Sequence, residues 1–142
     1  MRISFVAGFG PIIHDAEAAH AFWRDGLGIE FAEPAPGYFT NDDLEGEKAF
    51  AMWPLTQAAE ATFGTPEWPG DPPRPQAWLE VDVESAEAVA EAAAEMEAAG
   101  HRVLRGAHEE PWGQTTARLL SPEGLLVGIT FTPWMHPPET RP

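Results

Sequence analysis

The segment DAEAAHAF, which begins at Asp15, returns 70 residues later as SAEAVAEA, beginning at Ser85. Each copy follows a strand-like run, opens on a capping side chain with an acid in its first turn, and is succeeded by a glycine and a β-rich stretch. Later positions echo as well: Pro36-Gly37 with Trp112-Gly113, and Leu44-Glu45-Gly46 with Pro122-Glu123-Gly124. A strand-helix-three-strand unit used twice confines the chain to an α+β fold of two equivalent halves.

The first predicted helix runs from Asp15 to about Leu27, with Ala18, Ala19, Phe22, Trp23 and Leu27 at helical spacing and Gly28 after its end. The second runs from Ser85 to about Ala99 and stops at Gly100; its many alanines give high propensity and a flat face that can lie close to a sheet. Strands are expected near residues 3–12, 29–33, 38–42 and 48–53, and again near 76–81, 101–107, 115–120 and 125–132. The chain then reads as one domain, with module one at 1–53, a linker at 54–75, module two at 76–134 and an irregular tail at 135–142. Six prolines mark the linker as a connection or lid, with a helical turn or two at 56–63.

At 142 residues the chain can bury a real core, and no apolar run approaches the roughly 20 residues of a membrane helix. Eight Lys+Arg against 23 Asp+Glu give a net charge of −15. That charge repels a phosphate backbone or an anionic bilayer, so nucleic acid and membrane are excluded as partners, while a cationic small ligand is compatible. The absence of cysteine removes thiol chemistry and disulfides and fits a cytoplasmic location.

Four segments carry a resemblance: Ala21-Phe22-Trp23-Arg24-Asp25-Gly26-Leu27-Gly28, Glu80-Val81-Asp82, Pro111-Trp112-Gly113 and the turn Ser121-Pro122-Glu123-Gly124. In this order and spacing the sequence resembles the glyoxalase/bleomycin-resistance/extradiol-dioxygenase group, the vicinal oxygen chelate superfamily, over residues 2–134. The resemblance implies two βαβββ modules that form curved mixed sheets around a cavity, paired or swapped between subunits of a homodimer, with sites between modules of opposite chains.

In the metalloenzymes of that group, ligands stand on the first and last strands of each module. The corresponding positions here are Gly8, Gln76, Gly128 and one between Phe50 and Met52. Only Gln76 could coordinate anything, whereas a divalent ion needs about three or four N/O donors. The histidines are scattered: His14 and His20 are six residues apart and do not share a helical face. No nucleophile elbow and no cysteine supports covalent catalysis. No cofactor, no metal ligand and no catalytic residue is therefore assigned.

Strand parity sends Gln76, Trp78 and Glu80 into the cavity, with Phe50 and Met52 from one strand and Gly128 and Thr130 from the last; Gly8 and Trp112 complete the candidate ligand-binding set. An indole, a phenyl ring, a thioether and a carboxylate, with two glycines opening space, suit a planar or cationic ligand held by stacking and charge. Core packing is the ordinary explanation for Phe22 and Trp23. Trp68 and Trp134, in the linker and tail, are expected to act as lids or to anchor their loops. The expected function is metal-free sequestration of an aromatic or cationic antibiotic, of the bleomycin-resistance type. The alternative is a lyase, isomerase or dioxygenase of the same fold with a noncanonical metal site.

Overall fold

The computed structural model describes residues 1–26, 28–121 and 123–137, the Phe22 side chain excepted. Leu27, Pro122 and the end of the tail, which entered the sequence reading, lie outside the described residues. The first half comprises β1 (Phe5–Ile13), α1 (Ala16–His20) with a π-helical turn (Ala21–Gly26), β2 (Ala32–Ala35), β3 (Tyr38–Asn41) and β4 (Phe50–Pro54). After α2 (Leu55–Phe63) come β5 (Ala77–Asp82), α3 (Ala86–Ala98), β6 (Val103–Glu109), β7 (Thr115–Leu120), β8 (Leu126–Phe131) and a 3-10 turn (Pro133–Met135). Each half is the expected strand-helix-three-strand unit.

All eight strands form one sheet in the order β2-β3-β4-β1-β5-β8-β7-β6. Within each half the first strand pairs in parallel with the last, β1 with β4 and β5 with β8. The halves meet where β1 runs antiparallel to β5. Both copies of the repeated turns place glycine in the left-handed region: Gly37 matches Gly113, and Gly46 matches Gly124. The duplication is thus carried by backbone conformation as well as by side chains.

The two helices of the repeat are less alike than their sequences. Ser85 caps α3 by accepting from the Ala88 N–H, and Val89, Ala92 and Ala93 bury its flat face against Ala117, Leu119 and Ile129 of the sheet. Asp15 caps α1 in the same way, at Ala18, yet α1 has no buried residue and widens into a π turn after five residues. The continuous helix expected from residue 15 to 27 is interrupted there, and Trp23 turns its ring toward Phe50.

The proline-rich stretch is not a detached linker. Ala58, Ala59, Ala61 and Thr62 of α2 are buried, and Trp68 joins the core beneath Phe63, its indole N–H donating to the Pro72 carbonyl at 2.8 Å. Trp68 is therefore a core residue and not a lid. No helix among the described residues is long and apolar enough to cross a membrane.

Candidate functional site

The curved sheet encloses a cavity of about 580 Å³ whose walls come from both modules of the single chain. Period-two alternation along β5 places Trp78, Glu80 and Asp82 on one buried face, with Ala77, Leu79 and Val81 on the other. Trp78 and Glu80 reach the cavity wall, joined by Trp53 of β4, Tyr38 of β3 and Arg118 of β7. Trp53 and Trp78 are buried and meet edge to face, 6.0 Å between ring centroids. At the rim Trp112 and Trp134 are 51% and 61% exposed, a costly arrangement for indoles unless something covers them.

Beneath the aromatic wall lies a polar chain that crosses the module boundary. The Arg118 guanidinium, with 0% of the residue exposed, pairs through Nη1 with Glu80 Oε2 at 2.6 Å. Gln114 Nε2 donates to the other oxygen, Glu80 Oε1, and to Thr132 Oγ1, both at 2.8 Å. Thr132 Oγ1 donates in turn to Asp82 Oδ1 at 2.9 Å, and the Thr132 amide donates to Asp82 Oδ2. His136 Nε2 lies 2.8 Å from Asp82 Oδ2, so the segment bearing Trp134 and Met135 is tied to the floor it covers. The Trp112 indole N–H donates to Gln114 Oε1, which orients the amide so that its nitrogen faces Glu80. Burial, then the negative charges of Glu80 and Asp42, pushes the Tyr38 phenol well above its ordinary pKa, so it presents a neutral hydroxyl to the cavity.

Two glycines explain how this floor fits. Gly8, Glu80 and Gly128 stand in one row across β1, β5 and β8. A Cβ on Gly8 would come within 2.5 Å of the Trp78 ring, and one on Gly128 within 2.7 Å of Arg118 Nη1 and 2.9 Å of Glu80 Cγ. The space expected to stay open at these positions is filled by an indole and by an ion pair.

Other expected residues fall elsewhere. Gln76 is exposed just before β5, where its carbonyl accepts the Ile12 N–H, and it takes no part in the cavity wall. Phe50 and Met52 are buried on the other side of β4. The pairing Phe9 with Phe50 fixes that parity, Phe50 packs on Trp23 and Phe31, and Ala49 and Trp53 face the cavity instead. Thr130 lies under the floor, bonded through its hydroxyl to Asp82. Glu80 is not free to draw a basic group, because both of its oxygens are engaged within the protein. The sequence reading missed Arg118, Gln114, Thr132, Trp53 and Tyr38. The only local hint was an arginine inside a strand-like run, TTARLL; that it faces Gly128 across the ladder is evident only from the fold.

The donors do not suit a divalent ion. Among the described residues no three His, Asp or Glu side chains gather into a metal-holding group. Of the four strand positions where metalloenzymes of the resembled group carry ligands, Gln76 is exposed, the segment 50–52 lacks an N or O donor side chain, and two are glycines, Gly8 overlaid with Trp78 and Gly128 with the cationic Arg118. A second positive charge there would meet repulsion from the guanidinium.

The family model for the Glyoxalase/Bleomycin resistance protein/Dioxygenase superfamily matches residues 10–129. No curated protein matches the sequence. Among solved structures, a superfamily member from Vibrio splendidus 12B01 superposes with a TM-score of 0.59 at 16% identity, covering 89% of this chain and 97% of its own. A Streptomyces coelicolor methylmalonyl-CoA epimerase in complex with 2-nitronate-propionyl-CoA gives 0.58 at 16% identity, covering 96% and 100%. A structure titled NAD-dependent benzaldehyde dehydrogenase, from Legionella pneumophila, gives 0.59 at 13% identity, covering 87% and 96%. At such identities the likeness is one of fold.

Proposed function

This chain belongs to the glyoxalase/bleomycin resistance protein/dioxygenase superfamily, and from that premise we propose that it sequesters a planar aromatic small molecule, of the antibiotic-binding kind, without transforming it. The observation that carries this reading is the set of four tryptophans around one cavity, two buried in its wall and two exposed at its rim. Indole faces give a flat ligand stacking and apolar burial with little loss of side-chain entropy. The charged groups of the floor support holding over chemistry: Glu80 is tied up by Arg118 and Gln114, and so does not serve as a free base. A basic group on the ligand is met by Asp42, whose exposed carboxylate lines the cavity and accepts from Thr40 Oγ1 at 2.7 Å. The overall charge of −15 favours the approach of such a cation.

Titrating tryptophan fluorescence with polycyclic and cationic glycopeptide antibiotics tests the reading. Saturable quenching that weakens in Trp112→Ala or Trp134→Ala, with the ligand recovered unchanged by mass spectrometry, is the expected result. Conversion of the ligand, or stoichiometric nickel, zinc, iron or manganese in the purified protein, would overturn it.

A further inference from the structure

We propose that Arg118 is the polar anchor of the cavity, taking an acceptor oxygen on the inner edge of the bound molecule; the inference rests on the aromatic-cavity reading and narrows it to planar ligands that carry a carbonyl-type oxygen. The guanidinium has five N–H donors and no acceptor. One nitrogen, Nη1, is spent on Glu80, while Nε and Nη2 are buried with no hydrogen-bond partner among the described residues. Buried donors of this kind are rare because each has given up water without replacement. Arg118 nonetheless forms part of the cavity lining, and its guanidinium carbon sits 5.0 Å from the centre of the Trp53 ring. Its neighbours are all arranged to hold it there. Gly128 leaves the room that a Cβ would take, Glu80 fixes one nitrogen, and Gln114 clamps the far oxygen of Glu80.

The cation therefore stands where the cup has its strongest unspent hydrogen-bonding capacity, next to indole faces that fix the plane of a ligand. A flat molecule seated against Trp53 and Trp78 would present its edge to the guanidinium. An oxygen on that edge satisfies donors that have no hydrogen-bond partner among the described residues, once the floor shifts to bring a buried nitrogen to the cavity surface. The acceptor need not be charged. A neutral carbonyl avoids the long-range repulsion of the acidic surface and still gains a charge-assisted hydrogen bond.

Isosteric neutral probes isolate this contact. Acetonaphthone and isopropenylnaphthalene differ by a carbonyl oxygen in place of a methylene, and naphthylmethylammonium serves as a cation of similar size. Their affinities are measured by calorimetry and tryptophan quenching for the full chain and for the double variant Arg118→Met with Glu80→Gln, which leaves no unpaired carboxylate in the floor. Acetonaphthone is expected to bind the native protein about tenfold more tightly than the alkene, and to lose that preference in the variant while the alkene binds as before. Equal affinity of ketone and alkene for the native protein would overturn the role of Arg118 and leave the aromatic cavity standing. A ketone preference that survives in a variant still binding the alkene would place the acceptor contact elsewhere and overturn it too. Ammonium binding, which reads Asp42, is expected to be equal in the native protein and the variant; a change in it that matches the change in ketone binding would assign the ketone preference to an altered cavity and overturn the role of Arg118. A native protein that binds none of the three would remove the cavity reading itself.

Discussion

Gly128 shows how a residue without a side chain can specify a charged floor. Its missing Cβ makes room for Arg118 Nη1 and Glu80 Cγ. Gly128→Ala is therefore expected to destabilise the fold by about 1–3 kcal/mol through overpacking, read as a lower urea midpoint at unchanged slope, and to cost less in an Arg118→Met background. A cost that is the same in both backgrounds would mean that the contact with the guanidinium is not its source. Tyr38, the only tyrosine of the chain, gives a second test. Its folded pKa is raised above the ordinary 10.0, so the folded state keeps a proton that the unfolded state releases first. Stability from this group is complete below about pH 10 and is lost as pH rises beyond it. Tyrosinate absorbance of the folded protein should appear only above that range, and the alkaline loss should shrink in Tyr38→Phe; titration near 10 in the folded protein would sink the assignment. Trp78 and Glu80 were legible from alternation along a single strand. Arg118 was not, because its burial depends on Gly128 across one ladder and Glu80 on another strand, information that no local pattern carries. Phe50 and Met52 were misplaced by a single step of parity, which the pairing of β4 with β1 decides.

At the scale of elements, the repeat was readable because caps and turn glycines are local chemistry. The difference between its two helices was not, since it depends on what each packs against. α3 buries an alanine face on the second half of the sheet, whereas α1 has no fully buried residue, meets Phe39 and Phe31 through the half-buried His20 ring, and opens into a π turn. Removing equivalent caps should therefore have unequal effects. Ser85→Ala is expected to cost about 1 kcal/mol of global stability. Asp15→Ala should mainly speed hydrogen exchange within α1 and move the unfolding midpoint less. Equal midpoint shifts for the two variants would show that α1 is as firmly coupled to the core as α3. The proline-rich segment teaches the same lesson. Its composition reads as a connection, yet the small side chains of α2 and the Trp68 indole complete the core beneath the cavity wall.

For the molecule as a whole, the net charge of −15 is spread over a surface that must stay folded against its own repulsion. Adding salt, which shortens the screening length from roughly 30 Å at 0.01 M to about 8 Å at physiological strength, is expected to raise the thermal midpoint. A midpoint that is flat or falls over that range would argue that compensating ion pairs outweigh the repulsion. Among the described residues the two halves of the sheet join only through the antiparallel ladder of β1 with β5, and the peptide connection between the halves passes through the exposed Gly70. Backbone pairing, with α2 packed across both halves, and not the covalent tether, thus sets their register. A chain severed at Gly70 is expected to survive as two fragments, 1–70 and 71–142, that copurify when made together and hold more firmly once a stacking ligand spans both walls. Fragments that remain apart would show the tether to be needed; fragments that rejoin and part less readily once ligand is added would make the bound molecule a second clasp of a two-piece receptor.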